Sequence, residues 1–127
     1  MHDNFAWGST LSNFATIASA AKRAHMEWIP CVGPGYDDTA VRPWNAPNTR
    51  ARGNAGDGAK RGRYYREGWT AALRDRPRSV AVTSFNEWHE GTQIEDAAAE
   101  RSGYKDGGGA FWLRATKRFA KRLCAAS

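Results

Sequence analysis

Two short runs, Trp28-Ile29-Pro30-Cys31-Val32 and Ser79-Val80-Ala81-Val82-Thr83-Ser84-Phe85, restrict the fold of this chain more than any other feature. Both are too apolar along their length to leave one face in water, which is the condition of strands in a parallel sheet. Each run is preceded by a segment of helical periodicity. Phe14, Ile17, Ala18, Ala21 and Ala24 recur at three- and four-residue spacing and predict a helix from a Ser12 or Asn13 cap to about Met26. Tyr65, Trp69, Ala72 and Leu73 share one face of a second helix, about Tyr64 to Asp75, which Pro77 stops. After a Gly107-Gly108-Gly109 turn, Phe111, Leu113 (or Trp112), Ala115, Phe119 and Leu123 mark a third, about Ala110 to Leu123. Pro30 weakens the first strand, because proline has no N–H to give a ladder. The order helix, strand, long loop, helix, strand, long loop, helix is that of an α/β chain with parallel strands.

At 127 residues the chain fits one domain, and 41% hydrophobic with 25% charged residues excludes wholesale disorder. No repeat or linker divides it. The net charge of +6 raises the question of nucleic acid. The basic residues are dispersed, and Lys117, Arg118, Lys121 and Arg122 fall on the third helix as a solvated face. No zinc-ligand spacing, RNA-binding aromatic signature or helix-turn-helix pattern accompanies them, so no nucleic-acid partner is expected. Cys31 and Cys124 read as two buried or partly buried free thiols, not a bridge. No run of about 20 apolar residues is present to span a bilayer, and the start at Met1 lacks the basic and apolar regions of a signal peptide. His2, His25 and His89 have no metal-ligand spacing, and no Lys-Ser or Lys-Thr pair follows the three glycines. Neither a metal nor another cofactor is expected.

Both chemically loaded segments, Gly33 to Arg50 and Asn86 to Glu95, leave the C-terminal ends of the two strands. In α/β barrels that end carries the active site. The second segment holds Glu87 and Glu90, three residues apart, a spacing that aims two side chains the same way from a turn or short helix. Carboxylate pairs perform acid/base work on glycosidic bonds; the bland alternative is a solvated turn after a buried strand. His89 is either a sugar contact or a structural histidine, and Trp88 either a sugar platform or a wedge against the core. Asn86 suits a sugar hydroxyl, or bonds its own backbone. In the first segment Tyr36 follows two glycines at a strand end, as a site residue or a packing residue. Arg42 and Trp44 line the leaving-group side or stack on each other at the surface. Gln93 and Glu95 are read as organising the loop.

Phe85-Asn86-Glu87-Trp88-His89-Glu90-Gly91-Thr92-Gln93-Ile94-Glu95 resembles the signature of glycoside hydrolase family 99, the endo-α-1,2-mannosidases. Gly8-Ser9-Thr10, Val32-Gly33-Pro34-Gly35-Tyr36, Arg42-Pro43-Trp44-Asn45 and Asn48-Thr49-Arg50 occur in the same order as in that family. The resemblance implies a partial (β/α)8 TIM barrel, with residues 1–127 forming the C-terminal third of the catalytic domain and Val80 to Phe85 as its last strand. It implies a retaining, endo-acting enzyme whose substrate is an α-mannose-containing glycan, an N-glycan or a mannan. Glu87 would be the base and Glu90 the acid, acting through a 1,2-anhydro sugar, with Tyr36, Arg42, Trp44, Asn86, Trp88 and His89 about the substrate. Animal relatives act in the Golgi lumen, whereas a bacterial protein would be secreted or periplasmic.

About two-thirds of such a barrel has no counterpart here, so Met1 is expected to be an internal methionine. The Gly53 to Gly62 stretch also looks longer than the family's. A third of a barrel leaves strand edges unpaired and apolar surface wet. The expectation is a chain that alone is marginally stable, associates through those edges and lacks mannosidase activity. Two other readings stand beside this one. The first is a bacterial O-antigen-processing relative assigned as a glycosyltransferase, from which His89 and Thr92-Gln93-Ile94-Glu95 differ. The second is a non-catalytic carbohydrate-binding remnant.

Overall fold

Cys31–Val32 (β1) and Ala81–Val82 (β2) form a parallel pair, Cys31 opposite Ala81 and Val32 opposite Val82. The computed structural model describes residues 11–50, 52, 61–96 and 110–126. Gly8-Ser9-Thr10, most of the glycine-rich tract after Arg52 and the Gly107-Gly108-Gly109 turn lie outside them. The ladder extends one bond beyond each end: Ala81 N–H donates to the Pro30 carbonyl at 2.9 Å and Thr83 N–H to the Val32 carbonyl at 2.9 Å. Pro30 is therefore compatible with the pairing, since β2 asks it only for an acceptor.

Both strands are shorter than the apolar runs predict. The sheet among the described residues has two strands, so each is an edge, and apolar residues of the second run stand in solvent, as expected for a part of a barrel. Ala81 is exposed and Phe85 is 57% exposed. The reason is physical: apolar composition favours burial, but burial needs neighbours on both sides of the sheet.

Helix α1 (Phe14–Arg23) starts after Asn13, whose carbonyl accepts the first helical bond from Ile17 at 3.0 Å. It ends three residues before the predicted Met26, where His25 takes a left-handed conformation (φ 54°) and turns the chain toward β1. Helix α2 (Arg63–Arg74) matches its prediction to within one residue and buries Tyr65, Gly68, Trp69 and Ala72. Helix α3 (Phe111–Ala126) runs to Ala126 and buries Trp112, Ala115 and Phe119, so Trp112 and not Leu113 belongs to its inner stripe.

The core is aromatic. Tyr65 meets Trp69, Trp112 and Phe119 edge-on, with ring centroids 6.1, 5.8 and 6.5 Å away. Trp69 stacks on Phe119 at 5.3 Å. Edge-to-face and offset pairs of this kind add about 0.5–1.5 kcal/mol each to area burial. The Tyr65 hydroxyl shares a 2.7 Å hydrogen bond with Thr116, which ties α2 to α3. This packing turns Lys117, Arg118, Lys121 and Arg122 outward, where all four are exposed. The two cysteines are free thiols; Cys31 is half-buried and bonded to the Thr83 hydroxyl at 2.8 Å. Cys124 is exposed, contrary to the expectation of burial, because it lies off the Trp112–Ala115–Phe119 stripe.

Candidate active site

The segment after β2 is clasped at its base. Ser84 N–H donates to the Thr92 carbonyl at 3.0 Å, Ile94 N–H to the Ser84 carbonyl at 3.0 Å and Glu95 N–H to the Phe85 carbonyl at 2.8 Å. The Ser84 and Thr92 hydroxyls bond each other at 2.7 Å. Thr92, Gln93 and Ile94 are buried and anchor the return limb. Between the limbs, Trp88–Glu90 forms one 3₁₀ turn, which Gly91 ends in the left-handed region (φ 63°) that favours glycine. Ser84 Oγ accepts the Glu87 N–H at 2.9 Å just before the turn begins. Trp88 Nε1 donates to Glu95 Oε2 at 2.9 Å, so half-buried Trp88 and Glu95 organise the loop.

The segment after β1 is built on an antiparallel bridge, with Tyr36 N–H on the Arg50 carbonyl at 2.9 Å and Arg50 N–H on the Tyr36 carbonyl at 2.7 Å. The loop between them holds a 3₁₀ turn, Pro43–Asn48. One backbone bond joins the two segments: Asp37 N–H donates to the Glu90 carbonyl at 2.8 Å.

That bond places Tyr36 and Arg42 beside Glu90. Arg42 NH1 donates to Asp38 Oδ2 at 2.9 Å and lies 3.9 Å from Glu90 Oε1, a charge contact longer than a hydrogen bond. Asn45 Nδ2 serves two acceptors, the Tyr36 hydroxyl at 3.0 Å and Asp38 Oδ1 at 2.8 Å. Burial, then Asp38, then the charge of Glu90 push the Tyr36 hydroxyl above its ordinary pKa. Of the other predicted residues, Asn86 and Glu87 are exposed just before the turn and His89 on it, and Trp44 is 78% exposed on its own turn. Tyr36, Arg42 and Glu90 thus form one hydrogen-bonded and charged cluster, while Trp44 stands apart as an open indole face.

Asp38 and Asn45 are the cluster residues that the motif reading did not single out. Asp38 has no exposed surface. That burial raises its pKa, but hydrogen bonds from Arg42, Asn45 and Tyr36 outweigh it and hold the carboxyl below its usual range. The available signal was the spacing of Asp38 four residues before Arg42 in a loop, where such pairs are easily taken for solvated charges. The depressed folded-state pKa means Asp38 contributes stability above its unfolded value, near pH 4, and loses it as pH falls through the folded value. Asp38→Asn is expected to lower the urea midpoint at pH 7 and to flatten the decline as pH falls below about 4. Identical acid limbs for the variant and the parent would count against this pairing.

The family model of glycosyl hydrolase family 99 matches residues 1–125. This chain belongs to that family. It is 47% identical over 100 residues to rat glycoprotein endo-alpha-1,2-mannosidase, covering 79% of this chain and 20% of the rat protein. The mouse glycoprotein endo-alpha-1,2-mannosidase is 39% identical over 127 residues, covering 95% of this chain and 26% of the mouse protein. Among solved structures, the GH99 endo-alpha-mannosidase from Bacteroides thetaiotaomicron superposes with a TM-score of 0.81 at 36% identity, over 96% of this chain and 36% of that one. The chain therefore spans about a quarter of the length of the curated relatives it matches. The parallel strands and the three α-helices among the described residues are part of the family's α/β barrel.

Proposed function

We propose that this chain carries the acid/base pair of a retaining, endo-acting α-1,2-mannosidase. The observation that carries this reading is the loop holding Glu87 and Glu90, clasped at the C-terminal end of β2 and joined through Asp37 to the Tyr36–Asp38–Arg42 cluster. Glu87 removes the proton from the sugar 2-hydroxyl. That oxygen attacks the anomeric carbon as the bond to the leaving oxygen breaks, and Glu90 gives its proton to the leaving oxygen. Glu90, now a carboxylate, takes a proton from water, which opens the 1,2-anhydro ring at the anomeric carbon while Glu87 returns its proton to the 2-oxygen. Two inversions leave the configuration retained. Tyr36, Arg42, Asn86 and His89 supply polar contacts to the glycan, Trp88 shapes the turn, and the exposed Trp44 indole offers a face for a sugar ring.

The 127-residue chain alone is expected to associate and to lack turnover. Each strand has an open edge among the described residues, and Ile29 and Phe85 are 52% and 57% exposed. Sedimentation of the purified chain, beside hydrolysis by the full-length gene product, tests both halves of this reading. The full-length product should cleave an internal α-1,2-mannoside without a sugar nucleotide, and proton NMR should show the α-anomer first. An initial β-anomer, or a requirement for a sugar-nucleotide donor, would overturn it.

A further inference from the structure

Arg52 is 8% exposed. A buried guanidinium is costly unless its surroundings satisfy it, so its contacts show what it serves. NH1 donates to the Gly91 carbonyl across 39 residues of sequence. The guanidinium lies over the Trp112 ring of α3, 4.8 Å from the centroid. The Arg52 carbonyl accepts the Gly62 N–H at 2.9 Å, just before α2. Its stem lies so close to the chain after β1 that a Cβ on Gly35 would fall 2.6 Å from Arg52 Cγ and 2.6 Å from the Arg50 carbonyl oxygen.

The acceptor matters most. Gly91 ends the turn that holds Glu90 and follows Glu87, and terminal carbonyls of a turn lack an internal donor. Asp37 N–H holds the Glu90 carbonyl from the loop side, and Arg52 holds the next carbonyl from the core side. Two consecutive carbonyls, at Glu90 and Gly91, are thus held by two donors that flank the Tyr36–Arg50 bridge, which restricts rotation of the turn. Trp112 in turn fixes the guanidinium plane, as stacking on an aromatic face does.

We propose that Arg52 is a positioning residue for the Glu87/Glu90 pair: through Gly91 it sets the direction in which the turn presents both carboxylates. The inference rests on the mannosidase reading and goes beyond it, since Arg52 acts on the pair without touching substrate. Misplacement of a reacting group by about 1 Å costs on the order of 10²-fold in rate.

The test uses the full-length gene product and the variants R52M, which keeps the stem and removes the donors, and R52K, which keeps the charge without the fork. R52M is expected to lower kcat about 100-fold with KM within about threefold, and R52K about 10-fold, since lysine cannot reproduce the planar donor geometry. Added guanidinium ion should restore part of the R52M rate and none of any loss in R52K, whose side chain fills the slot. Loss of activity in proportion to the unfolded fraction by circular dichroism, or a rise in KM with kcat kept, would overturn the proposal. If R52M does not fold, the kcat of folded R52K decides, parental kcat refuting the inference. E87Q and E90Q run in parallel separate the two claims: activity in those variants refutes the mannosidase reading, whereas their inactivity beside a fully active R52M refutes only the role of Arg52.

Discussion

Glu90→Gln in the full-length gene product is expected to lower cleavage of a natural α-1,2-mannoside by about 10²–10⁴-fold, the usual worth of a positioned acid or base. Glu87→Gln should lose as much. The two differ in what restores them. An aryl leaving group of low pKa departs without a proton, so Glu90→Gln should recover formation of the intermediate on an aryl glycoside, and accumulate it because activation of water is also lost. Glu87→Gln should not recover, since the 2-hydroxyl still needs a base whatever the leaving group. Equal recovery in both variants would sink the assignment of roles, and retained activity on the natural linkage in either would sink the pair. The amide is nearly isosteric with the carboxylate. Glu87 is exposed and Glu90 half-buried, so folding should be little affected and circular dichroism should match the parent.

Tyr65→Ala should be the most damaging single change in the core. The ring is fully buried and touches Trp69, Trp112 and Phe119, so α2 and α3 meet on it. Truncating a buried aromatic to alanine costs about 3–5 kcal/mol, the transfer term plus the cavity. A domain stable by about 5–15 kcal/mol loses a large share of its stability that way. Tyr65→Phe keeps the ring and loses only the hydroxyl bond to Thr116, a change of about 1 kcal/mol. Urea unfolding followed by tryptophan fluorescence checks both, and comparable midpoints for the two variants would show that the ring does not carry the packing. Because α3 supplies Trp112 beneath Arg52, any Tyr65→Ala chain that does fold should also lose order around Gly91.

The helices were legible because each buries one face, and burial of one face writes its period into the residues. Tyr65, Trp69 and Ala72 on α2 show this, and the prediction there missed by one residue. Strand extent was not legible. Val80 and Phe85 look as apolar as Val82, yet pairing with Pro30–Val32 covers only Ala81 to Thr83. The motif after β2 was read from consecutive residues, and its family followed from five such motifs in order. Tyr36 and Arg42 beside Glu90 were among the site residues named from the motifs; Asp38 and Asn45, which bond them, were not. Nothing in the motifs sets Asp38 apart, and Arg52 is one of many dispersed arginines.

The sequence by itself determined the order of the described helices and strands and the family, because periodicity and short motifs are properties of neighbours along the chain. Only the tertiary structure decided which charges lie buried and whom they serve. Asp37 reaches Glu90 and Arg52 reaches Gly91 across 39 residues or more, and no spacing rule encodes a contact made when two loops meet. A buried charge such as Asp38 or Arg52 is stable only with its partners in place, so its role appears when the fold supplies them.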